Sequence, residues 1–311
     1  MPATATETEV ITRTVEIAAS PETVYSFLAD PARMATWLGR RVEADPRPGG
    51  LLRIDYNGFD IMRGTFLELV PHSRVVWSWG WESLSTSQTP PAGSTVEISL
   101  EPDGNGTRLS LRHSGLQAQE IAAHGAGWDF FVQNLASIVR GGPVQQMAGE
   151  LTLSEEFASQ LNSTLVRVID VLEHAPDDAW LRPVANDGRP AVAVANHIAG
   201  HLGLASFAVA TANGEKSPFA DFTGEDIEKM NAEDARSALT MTRAEVVAKI
   251  RQAGPEAVEA LRGIPAAGLA RTQALGAAGG AQVSAEALIQ GPLLGDVRGH
   301  LAGLEAALSA A

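Results

Sequence analysis

Apolar and polar residues alternate with a period of two through residues 10–18 (VITRTVEIA), where β-branched side chains predict a strand. Ser20-Pro21-Glu22 then offers an N-cap, a proline for the first helical position and an acid for the first turn. A short helix over 22–28 ends at Asp30-Pro31, and a second is expected over 31–37. Strand-like runs follow at 51–56, 60–70, 73–81, 94–101 and 106–113. Pro48-Gly49-Gly50, Asn57-Gly58, Pro90-Pro91 and Asp103-Gly104-Asn105-Gly106 punctuate them. From 117 to 139 the period becomes helical, with Trp128, Phe131, Val132, Leu135 and Ile138 or Val139 on one face. This order is α+β: a strand, short helices, antiparallel strands, then one long helix.

Arg140-Gly141-Gly142-Pro143 breaks the pattern, so one domain is expected over 1–142, a linker over 143–150 and a second domain over 151–311. That second domain reads as all-α. Residues 154–173 carry an apolar face, and 191–211 is a helix of small residues suited to close packing. Residues 242–261 open on a capping box, Thr242 and Glu245, with a kink or a short break expected at Gly254-Pro255. Residues 284–308 form the last helix, kinked near Gly291-Pro292. Four long helices, with 212–241 as a crossover holding a short helix near 224–236, predict a four-helix bundle.

Composition narrows the function classes. The 311 residues are 45% hydrophobic and 19% charged, which is globular, and the length suits two domains. A net charge of −14 without a basic cluster argues against nucleic acid or an anionic membrane as partner. The chain has no cysteine, so disulfides and thiolate nucleophiles of its own are excluded. Neither a signal peptide nor a run near the roughly 18 apolar residues of a membrane span is evident. A cytoplasmic location is the expectation. No nucleophile elbow, P-loop, dinucleotide fingerprint or HExxH motif occurs.

Two sets of residues carry candidate chemistry. Five of the six tryptophans fall between residues 37 and 128, and Trp77, Trp79 and Trp81 share one face of a strand by their spacing. Trp37, Phe59, Met62, Phe66, Trp77, Trp79, Trp81, His124, Trp128 and Phe131 are the expected lining of an apolar ligand cavity; otherwise the row packs the long helix. Asp55, Tyr56, Arg63, Glu68, Glu97, Arg112, His113 and His124 are the polar groups that could reach it, His124 first among them. Glu82 and Arg112 read as solvated strand positions. No pair of these stands out as a catalytic acid and base, so the catalytic residues stay unassigned. In the second domain, His197 and His201 lie four apart on one helix, and Asp296 and His300 four apart on the last. Imidazole and carboxylate side chains projecting from two helices suit a divalent ion such as zinc or nickel, although such spacings also arise on solvated faces.

Family patterns sharpen both halves. IAASPETVYSFLADPARMATWL, DPRPGGLLRIDY, FDIMRGTFLELVPHSRVVWSWGW, STVEISLEPDGNGTRLSLRHSGL and HGAGWDFFVQNL, in that order, resemble the START-like (SRPBCC) superfamily, in its branch of heat-shock-protein ATPase activator homologues. The resemblance implies a helix-grip fold, in which a curved antiparallel sheet wraps the long helix around an apolar cavity. RPAVAVANHIAGHLG and LLGDVRGHLAGLEAAL resemble segments of the DinB-like superfamily, which includes mycothiol-dependent maleylpyruvate isomerase relatives. That resemblance implies His197 and His300 as metal ligands, with Asp296 where the family has His or Glu and His201 as a supporting group. It also implies a low-molecular-weight thiol as cosubstrate of a transferase or isomerase. The competing expectation is a non-catalytic ligand-binding or stress-response protein whose bundle mediates association, as in a homodimer. A co-chaperone-like role follows only from the first family's name-giving member.

Overall fold

The alternating opening forms β1 (Ile11–Ile17), and Ser20 caps α1 (Pro21–Ala29), its side chain accepting from the Thr23 amide. Asp30 caps the short α2 (Pro31–Met34). Six strands follow: β2 (Arg41–Ala44), β3 (Leu51–Asp55), β4 (Ile61–Val70), β5 (Arg74–Trp79), β6 (Ser94–Asp103) and β7 (Gly106–Ser114). They make one antiparallel sheet in the order β1-β7-β6-β5-β4-β3-β2. α3 (Ile121–Val139) is the long helix. Its Trp128, Phe131, Val132 and Leu135 join the same apolar core as Ile54, Phe66, Trp77, Ile98 and Leu111 from the sheet, so the sheet grips α3. The strand expected to end at 81 stops at Trp79, and Trp81 is held by an isolated bridge to Met62.

The computed structural model describes residues 10–85, 88–145, 149–185, 187–217 and 219–309. The chain divides into two compact units, Met1–Glu150 and Leu151–Ala311.

The second unit is predominantly helical. α4 (Leu153–His174) opens on a capping box between Thr152 and Glu155. The expected single helix over 191–211 is two, α5 (Ala191–His201) and α6 (Leu204–Asn213), separated by Leu202-Gly203. Together they are long and apolar enough to cross a membrane, the one such stretch among the described residues, which corrects the expectation that none approaches that length. Their apolar window is 61% buried inside the unit, which accounts for the composition as core. α7 (Gly224–Ala238) fills the crossover, and α8 (Arg243–Arg262) runs through Pro255 as one helix, so of the kink or short break expected there the break does not occur. After α9 (Ala266–Leu269) comes a hairpin of β8 (Thr272–Leu275) and β9 (Ala281–Ser284), which the periodicity did not suggest.

The last expected helix is α10 (Ala285–Leu288), a π-helical turn over Ile289–Gly295, and α11 (Asp296–Ser309). Pro292 lies inside the π turn, where its missing N–H suits the wider ladder. α4, α5, α8 and α11 pack against one another, which sets α5 beside α11.

Candidate functional site

Among the described residues of the first unit, two neighbouring cavities adjoin α3. One, of about 140 Å³, is lined by Tyr56, Asp60, Trp79, Trp81, Ala123, His124, Gly127, Trp128 and Phe131. Tyr56 and Asp60 flank the Asn57-Gly58 turn between β3 and β4, while Trp79 and Trp81 lie at and just past the end of β5. Ala123, His124, Gly127, Trp128 and Phe131 follow the i, i+4 stripe of one α3 face. The other cavity, of about 470 Å³, is lined by Trp37, Arg40, Phe130, Asn134 and Ile138 among others, and shares Tyr56 and Phe131 with the first. Those two rings, 5.3 Å apart between centroids, border both spaces.

The structure separates the expected lining into groups. Trp79, Trp81, His124, Trp128 and Phe131 meet at the smaller cavity, and Trp37 lines the larger one. Trp37 donates its Nε1–H to the Phe27 carbonyl at 2.9 Å. Met62, Phe66 and Trp77 are fully buried core residues, and Phe59 lines neither cavity. Trp77 shares its strand face with Trp79 but pairs with Phe66 and Val96 in the middle of the sheet, so its ring packs in the core. Asp60, Ala123 and Gly127 escaped the sequence reading; the last two lie one residue before His124 and Trp128 on the same helical stripe. Glu82, expected to be solvated, is a nearly buried partner of Arg53, accepting from its Nε at 2.9 and 3.1 Å.

A continuous chain of hydrogen bonds links Trp128 to the Trp79 backbone along the cavity wall. Trp128 Nε1–H donates to His113 Nδ1 at 3.0 Å, so that nitrogen must carry the lone pair. His113 Nε2–H is therefore the donor to Ser94 Oγ at 2.9 Å, and Ser94 donates onward to the Trp79 carbonyl at 3.1 Å. His113 is fully buried, and burial, aided by the neighbouring His124, lowers its pKa to about 3. The imidazole is thus held neutral. Ring centroids of Tyr56, Trp79, Trp81, His113, His124, Trp128 and Phe131 lie 5.3–6.2 Å from their neighbours, mostly edge to face or tilted. Such separations are direct ring contact, so the open space lies beside the cluster and not within it. Of the other polar candidates, Glu68 and Glu97 both pair with Arg74 away from the cavity.

In the second unit α5 and α11 bring three imidazoles together. The His197 ring centroid lies 4.1 Å from that of His201 and 5.1 Å from that of His300, with His201 and His300 6.2 Å apart. Asp296 meets His201, whose Nε2–H donates to Oδ2 at 3.2 Å. His300 Nδ1 lies 3.6 Å from Asp187 Oδ2, and Arg189 grips that carboxylate through two bonds of 2.6 and 2.7 Å. The Arg189 guanidinium holds Asp187 below the usual carboxylate range. Burial, then the neighbouring His201, lowers the His197 pKa to about 3; burial and Arg189 lower that of His300. Asp187 and Arg189 were not read from the sequence, because they precede α5 in an irregular segment. Among the described residues, no three His, Asp or Glu side chains are gathered closely enough to hold an ion as they stand.

Comparison with known proteins bears on the first unit. The family described as "Activator of Hsp90 ATPase homolog 1-like protein" matches residues 18–140. No curated protein matches the chain. Among solved structures, an AHSA1-like protein of Rhizobium etli is 36% identical over 47% of this chain and 92% of its own length, with a TM-score of 0.38. CalU16 from Micromonospora echinospora is 27% identical, covering 46% of this chain and 89% of its own, at a TM-score of 0.36. DynU16, from the dynemicin biosynthetic locus, is 25% identical over 43% of this chain, at a TM-score of 0.38. This chain spans only 48% of DynU16's length. The N-terminal unit of this chain is an AHSA1-like domain of the SRPBCC, helix-grip type.

Proposed function

We propose that the N-terminal unit binds an apolar small molecule of about one ring in the cavity between the end of β5 and α3. The aromatic wall of Trp79, Trp81, Trp128 and Phe131 around about 140 Å³ is the observation that carries this reading. Dry cavities of roughly 150 Å³ in other proteins accept benzene. Removing roughly 200 Å² of apolar surface from water would contribute about 5 kcal/mol before the costs of association. AHSA1-like membership of the unit supports the same use. Titration with toluene, followed by tryptophan fluorescence, is expected to give a saturable change. A signal that never saturates, or no change at all, would sink the proposal.

For the C-terminal unit we propose a divalent ion, zinc or nickel, held by His197, Asp296 and His300 as the DinB-like resemblance implies. The gathering of three imidazoles and a carboxylate from α5 and α11 favours it. The donor chemistry fits, since burial keeps His197 neutral, the form a metal needs. His201, through its bond to Asp296, would orient that carboxylate. An ion there would acidify a bound water or thiol; with no cysteine in the chain, the thiol must be a separate small molecule. The C-terminal unit would then be a thiol-dependent transferase or isomerase. Untagged protein dialysed with zinc is expected to retain about one ion per chain, and His197→Ala and His300→Ala to lose it. A metal-free wild type would overturn this reading and leave a non-catalytic, self-associating unit, with a homodimer as its expected form.

A further inference from the structure

Three buried polar atoms without a hydrogen-bond partner belong to residues around the small cavity: Tyr56 Oη, Trp79 Nε1 and His124 Nε2. Buried polar groups in native proteins are nearly all paired, so three unpaired ones at one place mark where a partner belongs. The contrast with His113 on the same wall is direct, because both of its nitrogens are satisfied. The rings that carry them adjoin one another: the Trp79 centroid lies 6.0 Å from that of Tyr56 and 6.1 Å from that of His124.

Their hydrogen-bonding senses can be assigned. His124 Nδ1 lies 2.9 Å from the Glu120 carbonyl oxygen, which can only accept, so Nδ1 carries the proton. In the neutral ring Nε2 is then an acceptor, while the Trp79 Nε1–H and the Tyr56 hydroxyl are donors. A group that both accepts and donates from one atom would satisfy the set, and a hydroxyl does so. Its oxygen would accept from Trp79 or Tyr56, and its hydrogen would go to His124. The partly buried Trp81 ring touches all three residues, at 5.5–5.9 Å between centroids, so a ligand would reach their polar atoms by displacing that ring. Asp60, exposed at the cavity rim, disfavours an anionic ligand, as does the net charge of −14.

Resting on the ligand site proposed above, we infer that this cavity selects a neutral phenol, one aromatic ring bearing a hydroxyl, with Trp79, Tyr56 and His124 as the residues that read the hydroxyl. The test compares p-cresol, 4-methylanisole and toluene on the full chain at neutral pH, by calorimetry and tryptophan fluorescence. p-Cresol is expected to bind about tenfold more tightly than toluene, the worth of a well-made neutral hydrogen bond. 4-Methylanisole, which can accept from Tyr56 or Trp79 but has no hydrogen for His124, is expected to fall between toluene and p-cresol. His124→Phe should erase the p-cresol preference and keep toluene binding. Should that variant fail to fold, Tyr56→Phe, expected to reduce the preference severalfold, provides the second reading. Equal affinity of the wild type for p-cresol and toluene would overturn the inference while leaving the apolar site standing. A preference that survives in His124→Phe would overturn it too, and binding of none of the three would overturn both.

Discussion

Gly127→Leu is expected to weaken binding of a single-ring apolar ligand at least about tenfold without unfolding the N-terminal unit. Gly127 lies on α3 between His124 and Phe131 and lines the small cavity. A Cβ built there meets no atom within 4 Å, so a larger side chain enters open space and not a packed neighbour. Leucine would place four carbons where the ligand ring would sit, and a cavity of about 140 Å³ has no room for both. Replacing a glycine inside a helix also gains up to about 1 kcal/mol of propensity, so the fold should hold or tighten. Gly127→Ala is expected to do the same in smaller measure. Toluene titration paired with thermal unfolding separates the two effects. Undiminished affinity in Gly127→Leu would place the ligand elsewhere.

Acid should destabilise the N-terminal unit well before its carboxylates titrate. His113 is neutral in the folded unit, with a pKa lowered to about 3 by burial, whereas an unfolded histidine titrates near 6.5. Below about pH 6.5 the unfolded chain takes up a proton that the folded unit refuses, so stability is greatest above that pH and falls as pH drops toward 3. The slope approaches about 1.4 kcal/mol per pH unit well below 6.5, which comes to about 2 kcal/mol between pH 6.5 and 4.5. Protonating His113 would also take the lone pair that receives the Trp128 N–H, so the cost lands on the cavity wall. Urea unfolding followed by tryptophan emission reports mainly on this unit, because five of the six tryptophans lie in it. A midpoint that stays flat from pH 6.5 to 4.5 would contradict the assignment.

The parts of the fold legible in the sequence are those where local chemistry and long-range packing agree. Ser20-Pro21 starts α1 because the cap and the proline both favour it, and the stripe from His124 to Phe131 forms one face of α3 because the helical period is unambiguous there. β2 was missed because four residues, RVEA, carry too little alternation to register. The β8–β9 hairpin was missed for a related reason: its strands are short and largely solvated, and its turn is rich in glycine and alanine. The division of 191–211 into α5 and α6 is a tertiary effect, since nothing in the small-residue run fixes a break at Leu202-Gly203.

For the candidate site, period two put Trp77, Trp79 and Trp81 on one face but could not say where along the strand the core ends. Trp77 lies under the middle of the sheet, whereas Trp79 and Trp81 reach the open end beside α3. In the second unit the spacing singled out the pairs His197/His201 and Asp296/His300, and the DinB-like resemblance chose His197, Asp296 and His300 among them. It could not foresee that His201 would engage Asp296, or that Asp187 and Arg189 would approach His300 from outside the helices.

The claim that an aromatic ring enters between the end of β5 and α3 is tested most directly by nuclear Overhauser contacts from bound toluene in the full-length protein. The expected contacts run from the toluene protons to the indole protons of Trp79, Trp81 and Trp128 and to the methyl of Ala123. Contacts confined to Trp37 and Ile138 would put the ligand in the larger cavity and contradict the claim, as would none at saturating toluene.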